Sequence, residues 1–253
     1  MGATSLTRSG ITNFQKYSNM LVGNALIPAL PTSGMQLYLD ASDTASYPGS
    51  GNVWYDLSGN NRHFTWSSVS YNSGTIKSFS AFNRQAAGPA SNSFGINNTS
   101  GYTIFITAYQ NSTTGAGAFK WYSSNGGGSA GRGIFSHLTW SDSNIYWDQG
   151  GCCNPDTRTS VALPNPTGTW HVIAFRNNYA ATNRTIWRNN SILTTNTSGI
   201  ANINLSSSAA HIGNNDEYSG WDANIGQFLM YNRSLSDAEM TQVYNILRLK
   251  VGL

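Results

Sequence analysis

From Met35 to Tyr231 the chain alternates short apolar runs with turn clusters. Met35-Gln36-Leu37-Tyr38-Leu39 reads as a strand. Tyr102 to Tyr109 (YTIFITAY), Trp170 to Arg176 (WHVIAFR), Arg184 to Arg188 and Ile225 to Tyr231 (IGQFLMY) read the same way. These runs are rich in β-branched and aromatic residues, which pack well on a pleated surface. Tyr47-Pro48-Gly49-Ser50-Gly51 and Asp56 to Asn61 (DLSGNN) are turn clusters. Turn signals recur at intervals of roughly 10–20 residues, as in an all-β, two-sheet antiparallel sandwich. Gly115 to Gly133, with Gly126-Gly127-Gly128, reads as a flexible loop.

Two stretches have helical rather than strand spacing. Ser236-Asp237-Ala238-Glu239 is a capping box, and Met240, Val243, Tyr244 and Leu247 follow on one face. A short C-terminal helix lying on the sandwich is predicted. Near the N-terminus, Ile11, Phe14, Tyr17 or Ser18, and Leu21 recur at helical spacing, and Gly23-Asn24 ends the run. Ile27-Pro28-Ala29-Leu30-Pro31 then reads as an extended linker. Residues 1–33 are therefore expected to form an arm and residues 34–253 one jelly-roll domain. The arm's Ile11, Phe14, Leu21 and Leu26 are its candidate anchoring contacts. The alternative is an arm that packs on its own domain.

Composition narrows the class. Only 10% of residues are charged, with Glu occurring twice and Lys four times, against a helical bundle. Aromatics make up 12%, eight of them Trp, enough to build a core. The net charge of +3 is small, and Arg8, Arg62, Arg84, Arg132 and Arg158 are scattered, so no nucleic-acid partner is expected. No apolar stretch reaches the roughly 18–20 residues of a membrane span, so no membrane insertion is expected. No secretory signal is visible at the N-terminus. Cys152 and Cys153 are adjacent and cannot form a disulfide framework. Free thiols are the expected state, with a vicinal disulfide or an intermolecular link as alternatives.

Three blocks carry a resemblance. They are Leu37 to Thr65 (LYLDASDTASYPGSGNVWYDLSGNNRHFT), Gly168 to Asn190 (GTWHVIAFRNN, then RTIWRNN), and His211 to Asn245 (HIGNNDEYSGWDANIGQFLMYNRSLSDAEMTQVYN). Together they resemble laminin-G-like, concanavalin A-like jelly rolls, in the versions found in structural proteins of bacteriophages and other large DNA viruses. Ser9 to Asn24 (SGITNFQKYSNMLVGN) is similar to the opening of phage tail and fibre-associated proteins. The resemblance implies a non-enzymatic virion protein of a tail, fibre or capsid decoration, made in the host cytoplasm. Its implied partners are other virion proteins, further copies of itself and cell-surface glycans. A free carbohydrate-binding module or lectin is the alternative. The Asn-Gly hairpin turn usual in this group is Asn189-Asn190-Ser191 here, and Asn tolerates the left-handed conformation required.

Some sandwiches of this shape hydrolyse polysaccharides, which needs two facing carboxylates about 5–5.5 Å apart for retention. Retaining enzymes of the group carry Glu-x-Asp-x-x-Glu on one strand. Here the glutamates are Glu217, in an Asn-Asp-Glu loop, and Glu239, in the helix cap. Asp142 and Asp148 share a strand face but lie ~20 Å apart if the strand is continuous. No G-x-S-x-G occurs, and His63, His137, His171 and His211 read as structural. No catalytic residue is assigned.

Recognition of sugars calls for aromatic faces beside amides and carboxylates. Trp140, Asp142, Tyr146 and Asp148 in one segment, and Tyr218 and Trp221 in another, are the glycan-binding candidates. Alternation puts Ile145 and Trp147 on one face and Tyr146 and Asp148 on the other. No cofactor is required by these readings, and calcium is the candidate cation. Asp216, Glu217 and Asp222 can supply three oxygens to it, with Asp40, Asp43 and Asp56 as a second cluster.

Overall fold

The computed structural model describes residues 20–22, 25–27, 29–66, 70–80, 85–113, 117–213 and 221–253. Its strands run β1 (Met20–Val22), β2 (Ala25–Ile27), β3 (Met35–Asp40), β4 (Val53–Trp54), β5 (Phe64–Trp66), β6 (Ser70–Asn72), β7 (Ser78–Ser80), β8 (Gln85–Ala90) and β9 (Tyr102–Gln110). They continue with β10 (Gly117–Tyr122), β11 (Arg132–His137), β12 (Asn144–Gln149), β13 (Arg158–Ala162), β14 (Trp170–Asn178), β15 (Asn183–Arg188), β16 (Ser191–Asn196), β17 (Ala209–Gly213) and β18 (Ala223–Tyr231). Helix α1 (Asp237–Lys250) ends the fold.

Two antiparallel sheets face each other. One has the order β16-β15-β14-β9-β18-β7-β6, with β3 also paired to β18, and the other β13-β12-β11-β10-β17-β8-β5-β4. The expected all-β, two-sheet sandwich with a C-terminal helix is therefore the observed fold. The blocks Leu37 to Thr65 and His211 to Asn245 meet in space, because β3 pairs with β18 and β8 joins β5 to β17.

Strand alternation fills the interior. Phe119 and Trp121, Ile134, Ile145 and Trp147, and Ala210 and Ile212 point inward from the second sheet. Ile104, Ile106, Ile173, Phe175, Ile225 and Phe228 meet them from the first. Trp54, Trp66, Trp121, Trp147 and Trp221 are fully buried. A second apolar layer lies on the outer side of the first sheet. There Met240, Val243 and Leu247 of α1 cover Phe105, Val172, Ala174 and Leu229. Central strands such as β9 are thus covered on both faces, which is why Tyr102 to Tyr109 is apolar almost throughout.

The capping box forms as read. Ser236 accepts from the Glu239 amide, and the Glu239 carboxylate accepts from the Ser236 amide. The β15–β16 hairpin turns on Asn189 and Asn190, at φ of 47° and 67°.

Two expectations are corrected. Gly115 to Gly133 is not a loop throughout: Gly117–Tyr122 is a buried core strand, and Gly128–Gly131 makes a single 3-10 turn. The alternation of Phe119 and Trp121 with Lys120 and Tyr122 is a strand signal obscured by the flanking glycines. Around Leu21, the helical reading gives way to a β1–β2 hairpin in which Leu21 pairs with Leu26. Gly-Asn between two apolar triplets is hairpin chemistry, and it outweighs a helical spacing that is only partly kept. The remainder of the proposed arm helix, with Ile11 and Phe14, lies outside the described residues. Leu30 is buried in the layer under α1, and Gln242 donates to the Ala29 carbonyl, so the linker packs on its own domain.

Arg233 forms a bidentate pair with Glu239 at 2.6 and 2.9 Å, and this pair, chiefly through its hydrogen bonds, draws the Glu239 carboxyl down to about 2 from 4.5. A carboxyl lowered on folding stabilises above its unfolded value and ceases to as the pH falls through its folded one. The stabilisation from Glu239 is therefore complete above pH 4.5 and fades towards pH 2. In denaturant titrations, Ser236→Ala is expected to cost about 1 kcal/mol at neutral pH. Glu239→Gln is expected to be less stable than the parent at neutral pH and to lose less on acidification.

Candidate functional site

The outer face of the second sheet follows directly from what the interior takes. With Trp121, Ile134 and Trp147 inside, Lys120 and Tyr122, Phe135 and His137, Tyr146 and Asp148, and Arg158 and Ser160 point outward. Register aligns them across the strands. One row runs His211, Lys120, Phe135, Asp148, Arg158, and the next runs His137, Tyr146, Ser160.

Asp148 sits at the centre, fully buried (0% exposed), although it faces outward. Arg132 Nη1 donates to one of its oxygens at 2.5 Å, and Arg158 grips both, from Nε at 2.6 Å and Nη2 at 2.7 Å. The two guanidinium groups also stack on rings, Arg132 at 4.3 Å from the Phe135 centroid and Arg158 at 4.7 Å from Tyr146. Two cations and one anion thus lie within a cluster of aromatic faces, the environment in which paired and stacked arginine is favoured over lysine.

Beside this cluster the loop between β11 and β12 raises Trp140. Its ring lies 4.5 Å from the buried His137 ring, which itself stands edge-on to Phe135. Asp142 accepts from the Tyr146 hydroxyl at 2.7 Å and from the Asn144 amide at 2.9 Å. The bond from Tyr146 is the main cause holding the Asp142 carboxyl below its ordinary value, and it raises the Tyr146 phenol in turn. Trp140, Asp142, Tyr146, His137 and both arginines border an open cleft of 300 Å³.

Cys152 and Cys153 border the same cleft. Gly150 and Gly151, at φ of 67° and 130°, turn the chain just before them.

Trp140, Asp142 and Tyr146 are therefore brought together as anticipated. Asp148 is close by, but its oxygens are occupied by arginine and are not offered to a ligand. Trp221 is corrected outright. It is fully buried, and its Nε1 donates to the Leu138 carbonyl at 2.8 Å. Period two along Trp221, Ala223 and Ile225 places it with the core, a signal that the local mixture of Asn, Asp and Tyr obscures. Tyr218, Asp216 and Glu217 lie outside the described residues.

Asp222 accepts from Asn111 Nδ2 at 2.7 Å and Ser112 Oγ at 3.0 Å, pinning the end of β9. The second acidic cluster is filled by protein donors. Asp40 receives Ser42, Tyr38 and Gln227 and pairs with Lys250 at 2.8 Å. Asp56 receives the amides of Tyr38, Ser58 and Arg62. Among the described residues no group of three metal-ligating side chains converges.

The histidines have structural partners. His63 accepts the Asp56 amide at 3.0 Å, and His211 shares a hydrogen with Tyr122 at 3.0 Å. His171 lies between the Asn165 carbonyl and Arg188, and burial lowers its pKa. Sequence reading missed Arg132, His137 and Arg158 as site residues. Finding them requires pairing β12 with β11 on one side and β13 on the other, and β11 begins where a loop was expected.

No family model matches the chain, and no curated protein matches it. Solved structures do. A Trypanosoma rangeli sialidase superposes with a TM-score of 0.65 at 12% identity, over 94% of this chain and 37% of the sialidase. The binding domain of Paraclostridial Mosquitocidal Protein 1 gives 0.61 at 16% identity, over 85% of this chain and 52% of its own. A botulinum neurotoxin type C structure, described in terms of cell entry through two ganglioside molecules, gives 0.60 at 16% identity, over 85% and 51%. The chain thus spans about a third of the sialidase and half of each toxin chain. At these identities the likeness is one of fold, a two-sheet antiparallel β-sandwich.

Asp148→Asn leaves one buried and one half-buried guanidinium without their anion. Urea titration is expected to register a loss of about 3–5 kcal/mol. Asp142→Asn, at the exposed rim, is expected to change stability by no more than about 0.5 kcal/mol.

Proposed function

We propose that this chain is a non-catalytic glycan-binding jelly roll and that it serves as an outward-facing domain of a virion structural protein. Trp140 carries the first half. Five of the eight tryptophans are fully buried, and Trp187 is buried under α1. Trp170 packs against Tyr109. Trp140, half-exposed like Trp170, is the one of the two that borders a cleft with a carboxylate and a phenol beside it. An indole face suits the apolar side of a sugar ring, and the polar groups around it suit the hydroxyls. The ganglioside named for the neurotoxin structure supports a glycan as ligand.

Non-catalytic is the better reading because, among the described residues, no pair of carboxyls in the cleft is set up as acid and base. Both oxygens of Asp148 are saturated by arginine, Asp142 is held ionised, and Glu239 is committed to the helix cap. Hydrolysis by a carboxyl pair, the commonest route, needs one carboxyl that holds its proton and another that is free to accept one or to attack. The virion half rests on the blocks Leu37 to Thr65 and His211 to Asn245, similar to those of viral jelly rolls. The alternative is a free lectin or carbohydrate-binding module.

On a glycan array the full chain is expected to bind a restricted set of glycans without releasing sugar. Trp140→Ala should lower affinity at least about tenfold, while Trp170→Ala should not. Array silence from folded protein would overturn the glycan reading, and sugar release would overturn the non-catalytic one.

A virion subunit is expected to assemble symmetrically. Light scattering should give an oligomer for the full chain and a folded monomer after removal of residues 1–19, which spares β2 and Leu30. Equal masses would count against assembly through the arm and favour the free lectin.

A further inference from the structure

We propose that the Trp140 cleft is one end of a longer path, which crosses the edge of the sandwich and takes a neutral oligosaccharide rather than a single terminal sugar. This inference rests on the glycan reading above and concerns the length and charge of the ligand.

A second, larger groove of 490 Å³ adjoins the 300 Å³ cleft, and Cys153 and Arg158 border both. The groove lies where the two sheets part, between their edge strands β13 and β16. Its position makes the cleft and the groove continuous around the sheet edge, with Cys152 and Cys153 as the ridge between them. Cysteine side chains are small and weakly polar, so the ridge presents a small, largely apolar surface to a passing sugar ring.

The groove is a built feature. Asn196 Nδ2 reaches the Pro155 carbonyl at 2.9 Å and the Arg158 carbonyl at 2.9 Å, tying β16 to β13 and to the turn before it. Buried Arg184 holds the same Pro155 carbonyl from behind at 2.6 Å. The Asn154 carboxamide accepts the amides of Asp156 and Thr157 and fixes that turn. A ligand would meet walls already in position, so little ordering cost falls on binding.

The lining sets the ligand's chemistry. Ser160, Thr194, Thr195, Thr197 and Ser198 contribute hydroxyls, and the cation at the border, Arg158, is already paired with Asp148. Neutral donors and acceptors thus predominate along the groove. A neutral, hydroxyl-rich polymer matches that lining, whereas a polyanion gains little from it.

The experiment uses the full chain, the array glycan of strongest signal, and fragments of it trimmed stepwise to the monosaccharide, with affinities read by calorimetry. Affinity is expected to rise at least about tenfold from monosaccharide to oligosaccharide and then level off. Thr195→Trp, at an exposed position in the groove, should remove that gain and leave monosaccharide affinity unchanged. Ser198→Trp serves as a second block should Thr195→Trp unfold. Full affinity in the monosaccharide overturns the path while leaving the glycan reading intact. A length gain that neither variant touches puts the longer ligand elsewhere and also overturns it. Binding confined to charged glycans and weakened steeply by salt overturns the neutral class. Array silence removes the glycan reading, and this inference with it.

Discussion

Burial of large rings between two thin sheets constrains the rest of this molecule. Five fully buried indoles occupy the interior, four of them from strands or strand ends of the second sheet. Each fixes the register of its strand, because a slip by one residue would turn an indole out to water and bring a charged or polar neighbour in. The composition of the outer face follows. Once Trp121 and Trp147 are inside, Lys120, Tyr122, Tyr146 and Asp148 can only be outside. The candidate site is thus set by the core behind it as much as by its own contacts, and core substitutions in β10 or β12 act on both.

Charge is scarce here, and most of what the structure describes is committed to holding the chain together. Asp148 pairs with both Arg132 and Arg158, Glu239 with Arg233, and Asp237 with Arg176. Asp40 illustrates the balance. Burial alone raises its carboxyl, but Lys250 and the hydrogen bonds from Ser42 and Gln227 outweigh that and hold it below its ordinary value. Such groups are poor acids, bases or metal ligands, because a substrate or ion would have to displace partners already in place. Hydroxyls, amides and aromatic faces are what remain at the surface for recognition.

The fold was legible wherever one residue's environment could be inferred from its neighbours in sequence. The capping box at Ser236, the left-handed turn at Asn189-Asn190 and the inward pair Ile145 and Trp147 are all local patterns, and all are present. Legibility failed where glycine masked a pattern or tertiary burial decided. Gly117–Tyr122 alternates cleanly, yet it lies among glycines that suggest a loop. Trp221 sits in a stretch that looks like a binding loop, but it shares the inward side of Ala223 and Ile225. Of the site, Trp140, Asp142 and Tyr146 could be read because they belong to one short segment. Arg132, His137 and Arg158 join them only through strand pairing, which no spacing along the chain reveals.

Asp142 and Asp148 show how far residue type falls short of chemistry. They are six positions apart, share the outer side of the sheet and both border the same cluster of rings. Asp148 has two arginines within 2.7 Å and no accessible surface, so it works as a structural anion that keeps two guanidinium groups stacked and oriented. Asp142 has one phenol and one amide as partners and opens to solvent, so it keeps lone pairs for a hydroxyl. The difference comes from Arg132 of β11 and Arg158 of the edge strand β13, which both pair with Asp148. Edge-strand placement thus decides which of two like residues is available to a ligand, and it does so on the side of the sandwich where the cleft opens.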